Sequence, residues 1–211
     1  RSAETCNLSE VVLRPSDTVD DVSRKIGLAT ILGTIQSALT DFRYVRPIWK
    51  KNAEEERLLG VSFTGVFDCP VVLNATPEQL NAWKKKNKGE YKGSAGLHPA
   101  YAKYYIRRIR QDKKDPLNEA LIDAGIEYED DPYNNEAIVF SFPMKAPAKS
   151  RTRHEFTAIQ HLEIWKKFAL HWCEHKPSVT IYVGEDEWLE VGAWCYKNFD
   201  IVSGVSFLPR A

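Results

Sequence analysis

Four cysteines hold most of the reactive chemistry open to this chain of 211 residues. Cys6, Cys69, Cys173 and Cys195 are widely spaced and form no CxxC pair, so neither a disulfide framework nor a zinc knuckle follows from them. Each is special individually or not at all. Cys6 lies in ETCNLSEVVLR, between a polar run and the strand-like Leu8 to Leu13; a thiol there is a small buried apolar residue, a metal ligand or half of a redox pair. Cys69 and Cys195 have apolar surroundings and are expected to be inert. In HWCEH, His171, Cys173 and His175 are all ligand types. On a helix the two histidines share a face while Cys173 points elsewhere, which favours a structural role over a metal site.

Anion chemistry has two candidate seats. GSAGLHP, residues 93–99, reads as a glycine-bearing turn just before a strand, and its backbone amides can either cradle an anion or serve a tight turn that needs positive φ. The basic run RRIRQDKK, residues 107–114, together with Arg151 and Arg153, suits phosphate contacts, but Asp112, Asp115 and Glu119 dilute it and a solvated strand face is the more common outcome. Neither GxxxxGK[ST] nor GxGxxG occurs, which removes the standard nucleotide loops. The six tryptophans fall mostly at helical spacing among apolar residues and read as core.

The elements that must position these residues are those of an ordinary globular chain. The composition is 43% hydrophobic and 27% charged, with 29 basic and 29 acidic residues; the zero net charge argues against a general surface for a nucleic acid polymer. There is no apolar run of membrane-spanning length and no basic start followed by an apolar core, so a soluble, cytoplasmic protein is expected. Apolar residues at steps of three and four predict a helix over 17–42, capped by Ser16 or Asp17 and covered on more than one side because Leu28 and Ile31 widen its stripe. A charged helix over 49–59 is expected to end at Gly60, before the strand-like GVSFTGV. Thr76 and Pro77 start a helix through Trp83, and 84–93 reads as an exposed loop.

Further along come the strand YYIRRIR, the helix PLNEALIDAG, the acidic turn YEDDPYNN, the strand AIVFSFP and the loop KAPAKSRTR. A helix over 154–174 buries Ile159, Leu162, Trp165, Phe168 and Trp172; the strand SVTIYV and a helix over 185–198 follow. Strands alternate with helices and several are continuously apolar, which predicts α/β architecture with a mainly parallel sheet buried on both faces. No internal repeat and no linker divides the chain.

Taken together, ETCNLSEVVLR, GVSFTGV, GSAGLHPAYAKYYIRRIR, HWCEHKPSVTIYV and EWLEVGAWCYKNFDIVSGVSFLP closely resemble, in the same order, the C-terminal part of the catalytic barrel of adenosylcobalamin-dependent (class II) ribonucleotide reductases. The resemblance implies part of a ten-stranded α/β barrel, with residues 1–211 forming one C-terminal segment whose loop near 84–93 is shortened. It also implies an activity. A thiyl radical started by adenosylcobalamin removes the ribose 3′ hydrogen, the 2′ hydroxyl leaves as water, and a dithiol supplies the reducing equivalents and becomes a disulfide. Cys6 occupies the position of one of the two reducing cysteines, at the end of a barrel strand where thiol exchange can reach it.

The family's radical-bearing cysteine, in an N-x-C-x-E motif, corresponds to a position upstream of Cys6, as does the second reducing cysteine. The resemblance therefore implies a partner, an N-terminal reductase segment that supplies both, along with a ribonucleotide substrate and a thioredoxin-type reductant. The family's P-S-G-T type phosphate loop is replaced here by KKKNKGEYK. Gly93, Ser94, Ala95, Gly96 and His98, which follow that position, are the expected substrate-side residues. The alternative is a non-catalytic scaffold or assembly module derived from such an enzyme, in which Cys6 turns over nothing.

Overall fold

The first helix starts where Thr18 closes a capping box. Its hydroxyl accepts from the Asp21 amide at 3.2 Å and its own amide donates to the Asp21 carboxylate at 3.1 Å, so Thr18, and not Ser16 or Asp17, is the cap. Thr18→Ala is expected to lower stability by about 1 kcal/mol and the melting temperature by roughly 2–4 °C. A thermal melt by circular dichroism that does not move would deny the box any weight.

In the computed structural model, residues 5–86, 92–174 and 176–210 are described. The chain divides into two compact units, Arg1–Ala100 with Ala148–Ala211 and, inserted between them, Tyr101–Pro147. The larger unit contains β1 (Asn7–Val12), α1 (Val19–Ser37), α2 (Pro47–Glu56), β2 (Leu59–Thr64), α3 (Pro70–Leu73), α4 (Pro77–Lys86), β3 (Lys92–Ala95), α6 (Ala158–His171), β7 (Val179–Val183), α7 (Trp188–Lys197) and β8 (Val205–Pro209). The inserted unit contains β4 (Tyr104–Asp112), α5 (Leu117–Asp123), β5 (Glu127–Asp130) and β6 (Ala137–Lys145).

β1, β2 and β3 pair in parallel, as do β7 and β8. Parallel bridges Gly93↔Cys173 and Gly96↔Ser178 tie β3 to the β7 side; the Ser178 amide donates to the Ala95 carbonyl at 2.9 Å and the Leu97 amide to the Ser178 carbonyl at 2.7 Å. The result is a parallel array in the order β1-β2-β3-β7-β8. This is a mixed α/β fold, and among the described residues the array does not close, since β1 and β8 each pair on one side only. The inserted unit departs from the expected parallel sheet. Its order is β4-β6-β5, antiparallel throughout, and the acidic YEDD, read as a turn, is the edge strand β5.

The array is also not buried on both faces. Its odd-numbered positions on β1, β2, β3 and β7, with Val11, Val61, Phe63, Ala95, Ile181 and Val183 among them, form a core with residues of the helices. The even-numbered positions include exposed Leu8, Glu10 and Val12 and half-buried Ser62, Thr64, Ser94 and Thr180. Small residues explain how α1 lies on this sheet. Its buried face is Val22, Ile26, Ala29, Thr30, Gly33 and Ser37, and a Cβ on Gly33 would come within 1.9 Å of a Leu59 methyl. Close approach along that seam turns the larger Leu28, Ile31, Leu32, Ile35 and Leu39 outward, so α1 is covered on one side only.

α1 also ends at Ser37, short of Phe42. The hydroxyls of Thr30, Thr34 and Ser37 bond back to the carbonyls of Ile26, Thr30 and Thr34, which weakens the last turns. α2 stops at Arg57, in the left-handed region with φ 43°, and Gly60 belongs to β2, where a Cβ would lie 2.6 Å from a Leu8 methyl. The expected loop over 84–93 is helix up to Lys86 and strand from Lys92; residues 87–91 lie outside the described residues.

Candidate active face

Cys6 sits just before β1, exposed. Its sulfur lies 3.8 Å from where a Cβ on Gly60 would stand, which puts it on the same face as Leu8 and the other even-numbered residues. The register sets out the rest of that face: Leu8, Gly60 and Lys92 lie abreast, then Glu10, Ser62 and Ser94. Partial burial pushes the Cys6 thiol above its ordinary range, and the nearby Lys92 ammonium draws it partly back. At neutral pH Cys6 is therefore a protonated thiol, able to give up hydrogen.

Gly93 and Ala95 face the helices. Gly93 lies against Trp172, whose indole N–H donates to the Ser94 carbonyl at 2.8 Å and whose ring stacks on Phe63 at 4.1 Å. Ser94 and Gly96 belong to the open face. The stretch is strand and not an anion-cradling turn: the Gly96 amide donates to the Phe63 carbonyl, and neither Gly93 nor Gly96 has positive φ. Gly93 is there for close packing.

His98 lies beyond the C-terminal end of β3 and bonds to the Ser178 hydroxyl at 2.9 Å; burial holds its pKa below the usual value. Behind it, His161 is 4% exposed and donates through Nε2 to the Leu97 carbonyl at 3.0 Å. Burial lowers its pKa to about 4, against the pull of that hydrogen bond. The expected site residues thus share one sheet but not one point. Cys6 is at the N-terminal end of the strands, and at about 3.3 Å per residue His98 lies more than about 20 Å along them.

The remaining candidates are engaged elsewhere. Cys173 is buried, its thiol pushed up to about 12, and His171 meets the Asn81 amide at 3.2 Å. His175 lies outside the described residues, and among those described no three ligand side chains gather for a metal. Cys69 is fully buried. The basic run is matched across its own sheet by the pairs Arg108–Glu129, Arg110–Asp131 and Lys113–Asp130; Arg151 pairs with Glu155 at 2.7 Å. Glu10, Ser62, Thr64 and Thr180 were not singled out from the sequence. Their signal is a polar residue at every second place in strands that otherwise read as apolar.

The comparisons with known proteins bear on this face. No family model matches the chain. Adenosylcobalamin-dependent ribonucleoside-triphosphate reductases of Lactobacillus gasseri and Euglena gracilis are 30% and 32% identical to it, over 122 and 120 residues. Over about half its length, this chain is homologous to class II ribonucleotide reductases. The match covers 55% of the chain but 16% of the Lactobacillus enzyme. The crystal structure of a B12-dependent (class II) ribonucleotide reductase superimposes with a TM-score of 0.65 at 19% identity, over 99% of this chain and 37% of that one. The fold described above is therefore that of part of a class II reductase.

Two grooves, of about 530 Å³ beside β1 and about 330 Å³ beside Arg108 and Arg110, fall in the range that takes a drug-sized ligand. Neither fits a corrinoid with its adenosyl group. No helix is long and apolar enough to cross a membrane among the described residues.

Proposed function

We propose that this chain supplies half of the working sheet and one reducing cysteine of a cobalamin-initiated ribonucleotide reductase, completed by a partner reductase segment. The observation that supports it most is the place of Cys6: an exposed thiol at the end of β1, on the one sheet face that helices leave uncovered, in a chain homologous to class II reductases. Ser62, Ser94 and Thr64 extend that face with hydroxyls suited to a polyhydroxylated substrate.

Adenosylcobalamin, ribonucleotide and a thioredoxin-type reductant belong to the assembled enzyme in this reading, and the radical cysteine comes from the partner. The contribution of Cys6 is chemically bounded. Loss of the 2′ hydroxyl as water consumes two electrons and two protons, which Cys6 and a second cysteine provide as thiols while forming one disulfide. A thiol held above its ordinary pKa suits hydrogen donation, and Lys92 beside it favours the thiolate needed when that disulfide is exchanged with the external dithiol.

The test is anaerobic deoxynucleotide formation with adenosylcobalamin and a thioredoxin system, by this chain alone, by the mixture with an N-terminal reductase segment, and by the mixture carrying Cys6→Ser. Turnover is expected only in the mixture and is expected to fall by at least about a thousandfold with the serine, the order seen when a residue acting as part of a catalytic unit is removed. Unchanged turnover with the serine would take the role from Cys6. An assembled mixture that turns over nothing would make the chain a scaffold.

A further inference from the structure

The free edge of β1 has a built-in seat. The amides of Asn7 and Leu13 donate to the carbonyls of Leu58 and Thr64, both at 2.9 Å. In a parallel ladder that phase turns the odd-numbered backbone groups toward β2 and leaves those of Leu8, Glu10 and Val12 pointing to the open edge. Beside that edge runs the groove of about 530 Å³, lined by Leu8, Glu10, Val12, Lys25, Leu28 and Leu32 among others. Leu8, Leu28 and Leu32 are 64%, 56% and 62% exposed. Sheet edges in folded proteins are normally blocked by charge or cover, yet here the only charge on the edge is at its far end. There the Lys25 ammonium, held by Asp17 at 2.6 Å, donates to the Val12 carbonyl at 3.0 Å.

We propose that this edge and groove receive an extended strand from the remainder of the reductase fold, paired to the backbone of Leu8 and Glu10 and stopped at Val12 by Lys25. The inference rests on the assembly proposed above and names where it occurs. The occupant follows from coverage: this chain superimposes over 99% of its length on only 37% of the reductase chain, so the rest of that fold must meet the faces left uncovered here. The groove chooses among those faces. It joins unpaired strand backbone to an apolar helix stripe, as β-strand addition requires, with main-chain bonds for affinity and side-chain contacts for choice of partner. The incoming strand carries apolar residues at alternate positions against Leu28 and Leu32.

The chain is mixed with the portion of a class II reductase that precedes the matched stretch, and association is followed by sedimentation and by amide hydrogen exchange. The expected result is a complex in which the amides of Leu8, Glu10 and Val12, fast in the free chain, are slowed at least tenfold. Glu10→Pro removes an outward N–H from an edge strand without touching the β1–β2 ladder, and Leu32→Glu charges the groove wall. Each is expected to weaken association at least tenfold, while Leu189→Glu, at a site 92% exposed on α7, leaves it unchanged. Circular dichroism establishes that the variants fold, and Leu32→Glu decides alone if the proline variant does not.

A complex whose β1 amides stay fast and which ignores Leu32→Glu would overturn this seat while leaving the assembly intact. Absence of any complex would overturn both. Self-association of the chain alone with the same protection would make a second copy the occupant and overturn the proposal.

Discussion

Gly93→Ala is expected to destabilise the larger unit by about 3 kcal/mol or more, at the upper end of what overpacking costs, and to lower its melting temperature by roughly 6–12 °C. The reason is what the new methyl would meet. A Cβ on Gly93 would stand 2.1 Å from the Trp172 carbonyl oxygen and 3.0 Å from its carbonyl carbon, and this is backbone, fixed at the end of α6 by the Trp172 amide bonding to the Phe168 carbonyl at 3.0 Å. Trp172 cannot retreat, because its ring is stacked on Phe63 and its N–H is committed to Ser94.

Two other glycines calibrate the claim. Gly33→Ala meets only the end of the Leu59 side chain, which can change rotamer, so its cost should be smaller; Gly96→Ala finds nothing nearer than 3.9 Å and should be close to neutral. Thermal melts of the three variants give the comparison. A Gly93→Ala protein as stable as Gly96→Ala would mean that β3 and Trp172 do not approach each other as described.

Much of this arrangement was legible in the residues and part of it was not, for reasons that differ by element. Local chemistry read well where it is self-contained: Thr76 and Gln79 close the box that starts α4, β4 falls on YYIRRIR, and α6 buries Leu162, Trp165 and Phe168. Cys6 was identifiable because its neighbours resemble a reductase segment, not because a thiol at that spacing is distinctive. The orientation of α1 could not be read from period alone. Ala29 and Gly33 recur at the same helical spacing as Leu28 and Leu32, and a hydrophobicity count favours the larger pair. Only the sheet's need for a close seam at Leu59 reverses the choice.

The GSAGLHP stretch shows the same limit. Glycines that suit a turn equally suit a strand pressed against a tryptophan, and which one applies depends on Trp172, far along the chain. The open face likewise needed the order β1-β2-β3-β7-β8, which brings Ser62, Ser94 and Thr180 onto one surface from three separated segments.

The second large effect is a dependence on pH carried by His161. In the folded chain its pKa is about 4, against 6.5 when free, because burial among Phe67 and Phe156 penalises the cation. The unfolded chain therefore binds a proton that the folded chain refuses between those values, and stability rises with pH across the window. Present in full above pH 6.5, this contribution is lost as pH falls toward 4, and amounts to about 3 kcal/mol at 1.36 kcal/mol per unit. His98, with its pKa also lowered, acts in the same direction, and the carboxylates of Asp131 and Glu155, held low by hydrogen bonds, lose their contributions only at still lower pH. His161→Gln separates the terms, since its amide can still donate to the Leu97 carbonyl while carrying no charge at any pH. Denaturant midpoints measured from pH 7.5 to 4 should fall steeply for the parent and much less for the glutamine variant. Parallel curves would show that His161 is protonated in the folded chain, and would remove the buried neutral imidazole that holds Leu97, and with it His98, in place.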